Sequence, residues 1–258
     1  MKICTDFRLT ESRHLSPAYG LLTLQSEEPL PEIHAGQFAQ VRADGSKTTF
    51  LRRPISICSA DPETRTIRLL IRRAGNGTAA LIDTPAGHLI NIMLPLGRPF
   101  DIQAPDQSTD RPLLIGGGVG VAPLLFLGHE MRQAGICPEF LIGARSASDL
   151  LLLDEFKALG DVHITTDDGS LGHRGVVTAH PRLQRPVSQI FCCGPAPMMK
   201  AVAAAAAKLG ASCQVSLENM MACGIGACLC CVEKTVRGNV CVCTEGPVFN
   251  INQLTWLD

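Results

Sequence analysis

The chain has 258 residues, enough for one large or two small domains, and its composition excludes several classes of protein. Hydrophobic residues make up 46% of it and charged residues 18%, which is typical of a folded chain with a buried core and excludes a disordered one. The 23 Lys and Arg residues balance 24 Asp and Glu residues, for a net charge of −1. No general positive field can therefore hold nucleic acid or an anionic bilayer, and we expect neither as a partner.

The cysteines are the first functional signal. The start, MKICTDFRLT, lacks the apolar stretch of a secretory signal, and no run approaches the ~18 apolar residues that span a membrane, so we expect a cytoplasmic protein. In a reducing compartment, clustered thiols more often bind metal or do chemistry than form disulfides. Six of the twelve cysteines fall within residues 223–243.

The first part of the chain reads as strands. Between residues 19 and 99, apolar residues come in short runs broken by Gly and Pro, and residues 66–72 partly alternate apolar with charged side chains. This pattern predicts a small antiparallel β-barrel over residues 1–105. Residues 103–111 are polar and lack periodicity, as expected of a boundary between two cores.

A different pattern follows the boundary, in which short apolar strands alternate with helical stretches. This alternation predicts a parallel, doubly wound α/β sheet over residues 106–212. The last segment, 213–258, returns to irregular, Gly- and Cys-rich sequence and predicts a small third domain. The expected fold class is thus α+β multidomain: an antiparallel β-barrel, a doubly wound parallel α/β domain and a small C-terminal domain.

The sharpest motif is the C-x4-C-x2-C run of Cys223, Cys228 and Cys231, followed at a distance by further cysteines. This is the plant-type ferredoxin spacing for a 2Fe–2S cluster held by four thiolates. Gly224 and Gly226 let such a loop fold around the inorganic sulfides. A structural zinc site is the alternative, although zinc sites favour paired C-x2-C knuckles.

The fourth thiolate is either Cys241 or Cys243. The two alternate along a presumed strand, so only one of them is expected to point inward, and the residues themselves do not decide which. We interpret Cys230, inside the loop, as a thiol that is not a ligand.

Two segments are candidates for holding phosphates. In RRPIS at residues 52–56, Arg53 and Ser56 could place a cation on a phosphate and a hydroxyl against a ring nitrogen, although for this motif alone an ordinary strand with a solvated arginine is the better interpretation. Farther on, RRAGNGT leads into a short helix near Gly77 and Thr78. The exposed amides and dipole of a helix N-terminus suit a pyrophosphate.

Two further turns are expected at the carboxyl edge of the parallel sheet, where ligands of open α/β sheets bind. One is GGGVGVAP at residues 116–123, which contains Gly117, Gly118 and Gly120 but has Pro123 in place of the third glycine of the dinucleotide fingerprint G-x-G-x-x-G. The other is Cys193-Gly194, which follows a predicted strand; a buried structural cysteine is an equal alternative for Cys193.

Taken together, RRPIS, GGGVGVAP, DDGSLGHRG, CGPAPMM and CGIGACLCC, in this order, resemble the electron-transfer subunits of NAD-dependent dihydroorotate dehydrogenase, a branch of the ferredoxin-NADP reductase superfamily. The resemblance covers essentially the whole chain. It implies an FAD-binding barrel at 1–105, an NAD-binding domain at 106–212 and a 2Fe–2S domain at 213–258. The implied cofactors are FAD, a 2Fe–2S cluster and NAD(H).

The resemblance also implies roles for residues. Cluster ligands would be Cys223, Cys228, Cys231 and Cys243, the last chosen because it precedes the sequence GPVF by two residues. The implied flavin and nucleotide contacts are Arg53, Pro54, Ile55, Ser56, Leu70, Ile71, Arg72, Gly77, Thr78, Gly117, Gly118, Gly120, Cys193 and Gly194. No acid–base catalytic residue is expected, since the cofactors supply the chemistry.

The implied partner is a separate FMN-containing catalytic subunit that oxidises dihydroorotate to orotate, in a heterotetramer of two plus two subunits. We expect contact through the C-terminal segment, with residues 246–249 as apolar surface. The alternatives are the same module serving a hydrogenase, sulfide dehydrogenase or transhydrogenase-type complex, and a zinc-binding interaction module without redox activity. We expect NAD(H) rather than NADP(H), although Arg145 and Ser146 follow the second α/β strand where a 2′-phosphate could sit.

Overall fold

The computed structural model of the protein describes residues 1–102 and 111–257. The predicted boundary between residues 105 and 106 lies outside the described residues. Within the described part, no helix is both long enough and apolar enough to cross a membrane.

Six antiparallel strands close into the predicted barrel in the order β1-β2-β5-β4-β3-β6. The strands and the one helix of this region are β1 Ile3–Ser16, β2 Tyr19–Ser26, β3 Phe38–Val41, β4 Arg53–Asp61, β5 Thr66–Arg72, α1 Asn76–Ile82 and β6 Leu89–Leu96. Strand β5 has the bounds expected from its alternating pattern. The sequence analysis missed β1, in which only Phe7 and Leu9 are fully buried among polar and charged neighbours.

The second region is the predicted parallel sheet, covered by helices. Its elements are β7 Leu113–Gly117, α2 Val121–Gln133, β8 Glu139–Ala144, α3 Leu153–Leu159, β9 Asp161–Thr166, β10 His173–Arg174, β11 Gln189–Cys193, α4 Ala196–Leu209 and β12 Ser212–Ser216. Strands β8, β9 and β10 extend from one side of β7, whereas β11 and β12 lie on its other side. The strand order therefore reverses between β7 and β11, which places the topological switch point there.

The C-terminal segment is a loop followed by a hairpin. Strands β13 Val232–Thr235 and β14 Gly238–Cys241 pair antiparallel, the single turn α5 Val242–Glu245 follows, and β15 Val248–Asn250 joins the large sheet antiparallel to β12. The predicted third domain thus contributes the last strand of the second domain's sheet.

Strand β3 connects the barrel to this segment. Ala39 and Val41 belong to the hydrophobic cluster that fills the barrel, whereas Phe38 belongs to the cluster that contains Cys231, Cys243 and residues of the large sheet. Because alternate residues of a strand face opposite sides, Phe38 and Gln40 lie on the outer face of the barrel. The C-terminal segment covers that face.

Candidate functional site

A cavity of about 600 Å³ opens at the switch point of the parallel sheet. Its walls include the loop after β7, the turn after β11 and the ends of β8 and β9, so that predicted residues Gly117, Gly118, Gly120 and Gly194 all line it. The elements thus bring together the two glycine turns that the sequence placed at this edge. A cavity of this size is within the range of small-molecule and cofactor sites.

Two of these glycines serve close packing. A β-carbon at residue 120 would lie 2.6 Å from the carbonyl oxygen of Cys193, and one at residue 117 would lie 2.7 Å from the sulfur of Met198. The loop after β7 can therefore approach the end of β11 only without a side chain at residue 120, while Gly117 leaves room for the Met198 side chain of α4. Cys193 is itself almost fully buried, and desolvation together with the charge of Glu218 raises the pKa of its thiol.

The barrel supplies part of the cavity wall. Tyr19 on β2 and Arg72 at the end of β5 are paired neighbours in the barrel, and both line the cavity with Glu218. Desolvation raises the pKa of the Glu218 carboxyl, while the charge of Arg72 acts in the opposite direction. The sequence analysis did not single out Glu218; its signal is its position just after strand β12, at the ligand-binding edge of the sheet.

Arg53 and Gly77, from two separate motifs, lie against each other. A β-carbon at residue 77 would lie 2.8 Å from Nε of Arg53, so Gly77 lets the first turn of α1 approach the guanidinium. The half-buried side chain of Arg53 has no hydrogen-bond or ion-pair partner among the described residues. A partner-free cation beside the unpaired amides of a helix N-terminus fits the pyrophosphate of FAD.

The neighbouring residues of this site differ in how their side chains are placed. Thr78 uses its hydroxyl to close the turn, since Oγ accepts from the N–H of Ala74 at 2.9 Å. The side chains of Leu70 and Ile71 are buried in the hydrophobic cluster that the barrel shares with neighbouring helices, so only their backbone can face a cofactor. The other predicted contacts on β4 are buried or half-buried: Pro54, Ile55 and Ser56.

Arg52 provides a contrast with Arg53. Its guanidinium donates to the backbone carbonyls of Gln40 and Asn91, at 3.3 and 3.0 Å, and to the side chain of Asn91. Adjacent residues of an extended chain face opposite sides. Arg52 therefore hydrogen-bonds to strands β3 and β6, whereas Arg53 on the other side is free to contact a phosphate.

The C-x4-C-x2-C loop is folded around its thiols. Gly224 and Gly226 adopt positive φ angles of 72° and 83°, which L side chains rarely adopt. The N–H of Ile225 donates to Sγ of Cys223 at 3.5 Å, and the N–H of Gly226 donates to Sγ of Cys243 at 3.1 Å. Backbone amides directed at sulfur are the donors that a thiolate-held cluster needs.

A backbone hydrogen bond joins two of the four predicted ligands, since the N–H of Cys243 donates to Sγ of Cys231 at 3.4 Å. The N–H of Ile225 and the contact with Cys228 lower the pKa of the Cys223 thiol to about 6, while desolvation and the contact with Cys231 raise that of Cys243 to about 12. In the described part of the chain, no three His, Cys, Asp or Glu side chains converge on a point where one metal ion would sit. A 2Fe–2S cluster shares four thiolates between two irons, so it does not require three side chains to converge on one point.

The reasoning about alternation at the fourth ligand was wrong. Strand β14 ends at Cys241, and Cys243 lies in the helical turn α5, so the two residues do not alternate along one strand. Both thiols lie near Cys231, but the side chain of Cys243 is fully buried and accepts the Gly226 amide, whereas Cys241 is half-exposed.

The expected apolar surface at residues 246–249 was also wrong. Val248 and Phe249 are 8% and 4% exposed, because β15 pairs with β12 and buries Val248 in one hydrophobic cluster and Phe249 in the other. The apolar side chains that reach the surface near the cysteines lie before, within and after the loop: Met220, Ile225, Leu229, Val232 and Val236.

A group of polar side chains surrounds the far end of the cavity, beyond β8 and β9. Arg145, Asp149 and Asp167 line it, and the Ser146 hydroxyl donates to Asp149 at 3.1 Å. Carboxylates at this edge hydrogen-bond ribose hydroxyls, whereas an arginine accommodates a 2′-phosphate. This end of the cavity has both kinds of group, the carboxylates of Asp149 and Asp167 and the guanidinium of Arg145.

Comparison with known proteins places the chain in a family. Residues 218–255 match the iron–sulfur cluster binding domain of dihydroorotate dehydrogenase B. The dihydroorotate dehydrogenase B (NAD+) electron transfer subunit of Shouchella clausii is 37% identical over 90% of this chain and 91% of its own length. The chain belongs to the family of dihydroorotate dehydrogenase B electron transfer subunits.

Other members of the family and a solved structure agree with this assignment. The subunit of Listeria monocytogenes serotype 4a is 40% identical over 88% of this chain and 90% of its own length. A structure of an NADH-dependent reduced ferredoxin-NADP oxidoreductase, described in connection with flavin-based electron bifurcation, superimposes with a TM-score of 0.85 at 28% identity, covering 97% of this chain and 90% of that one.

Family membership and the fold confirm the main expectations from the sequence. The chain is an electron-transfer subunit of the NAD-linked oxidoreductase type, with the β-barrel, parallel sheet and cluster-binding segment expected of it. The expected cofactors FAD, 2Fe–2S cluster and NAD(H) are confirmed at the level of the family and fold. The roles of individual residues remain predictions.

Proposed function

We propose that this chain carries electrons from the FMN of a separate catalytic subunit, which oxidises dihydroorotate to orotate, to NAD+. When bound, FAD would exchange a hydride with the nicotinamide and single electrons with the cluster, so it would couple the two kinds of carrier. The chain's own residues bind and orient these groups and none acts as an acid or base.

The observation that carries this proposal is the order of three adjacent barrel strands. Gln40 on β3 lies against the cluster loop, Arg53 on the next strand, β4, lies at the phosphate site, and Arg72 ends β5 at the cavity. The sites for cluster, flavin and nicotinamide therefore follow one another across one sheet.

For the residues, we propose that Cys223, Cys228, Cys231 and Cys243 hold the cluster, supported by the backbone amides that donate to the sulfurs of Cys223, Cys231 and Cys243. Arg53 and the first turn of α1 hold the FAD phosphates, and the strand segments 53–56 and 70–72 line the flavin. The nicotinamide nucleotide occupies the cavity beside Gly118 and Gly194.

For the partner, we propose that the catalytic subunit docks over the cluster loop. Ile225 and Leu229 are 49% and 65% exposed within that loop, and a one-electron carrier must lie near its acceptor. Exposed apolar groups of this kind mark protein contacts. The proposed assembly is two plus two subunits in the cytoplasm; none of the twelve cysteines forms a disulfide, which suits a reducing compartment.

We also propose the three units predicted from the sequence, 1–105, 106–212 and 213–258. Because β15 completes the sheet of the second unit, the third is expected to fold only on the other two.

The test uses purified chain and the candidate catalytic subunit with dihydroorotate and NAD+. The proposal predicts NADH and orotate only when both are present. Orotate formed by the isolated chain would contradict the division of labour, and a failure of the two subunits to associate would contradict the partner.

A second candidate is a transhydrogenase-type complex, favoured by the structural similarity to the NADH-dependent reduced ferredoxin-NADP oxidoreductase. The two candidate functions predict different nucleotide preferences: NADH for the first and NADPH for the second. Reduction of an artificial acceptor with NADPH in preference to NADH would favour the second.

A further inference from the structure

Gln40 is a buried polar residue that none of the proposed sites uses. Its side chain is fully buried on β3, and neither amide atom, Nε2 or Oε1, has a hydrogen-bond partner among the described residues. A buried amide without a partner is destabilising, because it has lost its hydrogen bonds to water. A barrel strand normally carries an apolar residue at such a buried position. The unpaired amide of Gln40 therefore indicates a hydrogen-bond partner that is not part of the polypeptide.

The amide is directed at the cluster loop. A β-carbon at residue 224 would lie 2.7 Å from Cγ and 2.8 Å from Nε2 of Gln40, so the amide packs directly on the backbone of Gly224. Gly224 separates Cys223 from Ile225, whose N–H already points at the Cys223 sulfur. Gln40 therefore approaches the loop from the barrel side, opposite the exposed side chains of Ile225 and Leu229.

The main chain of Gln40 is fixed in place. Its backbone carbonyl accepts from Arg52, and it lies opposite Pro54 on β4 and Met93 on β6. The side chain thus extends from a strand held on both sides, and its position does not depend on the loop.

We propose that Nε2 of Gln40 donates a hydrogen bond to the sulfur atoms of the 2Fe–2S cluster at the Cys223 side of the loop, and so raises the reduction potential of the cluster. Sulfide and thiolate sulfurs accept hydrogen bonds, and donors to them stabilise the reduced, more negative cluster. The same bond ties the cluster to the strand next to the flavin strand. The inference rests on the proposed cluster ligands.

The first experiment compares Gln40→Leu with wild type, using only preparations with full iron and labile sulfide. A titration followed by electron paramagnetic resonance measures the cluster potential, and the visible spectrum follows FAD in the same sample. Gln40→Leu is expected to have a more negative cluster potential and an unchanged FAD potential. Gln37→Leu is the matched control, since Nε2 of Gln37 already donates to the carbonyl of Gly97 at 3.1 Å, and its cluster potential should not move.

The second experiment uses wild-type protein, so its outcome does not depend on whether a variant folds. Wild-type protein is labelled with ¹⁵N at glutamine side-chain amides, and pulsed electron paramagnetic resonance of the reduced cluster is expected to show a ¹⁵N coupling. Absence of that coupling, an unchanged cluster potential in fully loaded Gln40→Leu, or a shift of the FAD potential instead would overturn the inference. Wild-type protein without any cluster would instead contradict the proposed ligands.

Discussion

The nucleotide cavity is walled by the ends of buried strands, whereas the cluster loop has little core of its own. At the cavity, Gly120 packs against the backbone of Cys193 and Gly117 packs against Met198, and neither glycine has room for a β-carbon. The loop from residue 225 to residue 230 is largely exposed, and thiols and backbone amides hold its shape. The packing of the fold therefore shapes the cavity, and we expect the cluster loop to be stabilised further by the metal group that it is proposed to bind.

The largest expected effect is at the cluster ligands. Serine at 223, 228, 231 or 243 removes a thiolate, so iron should fall from about two atoms per chain to near zero. Cys230→Ser and Cys241→Ser are the controls and should keep their iron and labile sulfide. Full cluster content in Cys243→Ser with loss in Cys241→Ser would reverse the choice of the fourth ligand.

The next effect is on flavin. Arg53→Ala removes a charged donor, which contributes about 1.5–3 kcal/mol, so FAD should bind roughly ten- to hundredfold more weakly while the cluster signal persists. Flavin retention on gel filtration and a binding titration measure this. Arg73→Ala is the control, since Arg73 is already paired with Asp83 at 2.6 Å, and it should keep its flavin. Undiminished affinity in Arg53→Ala would refute the phosphate role.

A smaller effect is expected on nucleotide choice. Wild type should prefer NADH to NADPH, and Asp149→Asn or Asp167→Asn should lower that preference severalfold, because a carboxylate beside the ribose repels a 2′-phosphate. Steady-state reduction of an artificial acceptor with each nucleotide measures the ratio. Asp168→Asn is the neighbouring control, as its carboxylate accepts from Ser170 instead. If neither substitution changes the ratio of the NADH rate to the NADPH rate, Asp149 and Asp167 do not determine the nucleotide specificity.

The smallest effect concerns the contact between barrel and sheet. Arg68 on β5 donates two hydrogen bonds to Glu155 on α3, at 2.7 and 2.8 Å, and this lowers the pKa of the Glu155 carboxyl below its ordinary 4.5. A lowered pKa means that the stabilisation is present above pH 4.5 and is lost as the pH falls through the folded-state value. Glu155→Gln should cost about 1 kcal/mol of unfolding free energy at pH 7.

Denaturant unfolding of wild type and Glu155→Gln at several pH values checks the sign. The difference between them should shrink as the pH falls below 4.5. A difference that grows toward acid pH would contradict the pairing.

The fold was largely predictable because its signals are local. The alternation at residues 66–72 and the strand–helix alternation after residue 113 each report on one element, and short glycine turns mark the sheet edge. The cysteine spacing predicted the cluster because all ligands but one lie within nine residues. Arg53 and Gly77 were each predicted separately, although only the fold brings them together.

The rest depended on contacts between distant segments. Gln40 reads as one polar residue in a short strand, and only the packing of Gly224 on it, 184 positions later, makes it a candidate cluster contact. Val248 and Phe249 are buried because β15 pairs with β12, and no local sequence pattern predicts this pairing. The helical turn α5, which begins after Cys241 and contains Cys243, likewise stands where the sequence predicted a continuing strand.

The central claim is that the cavity and flavin site serve NADH by themselves, while the cluster loop connects them to the partner. The most direct measurement compares two activities of FAD-loaded Cys223→Ser: NADH oxidation with an artificial acceptor, and dihydroorotate-dependent reduction of NAD+ with the catalytic subunit. The account predicts that the first persists near the wild-type rate and the second is lost. Dihydroorotate-dependent reduction of NAD+ at the wild-type rate, in protein shown to lack iron, would contradict it.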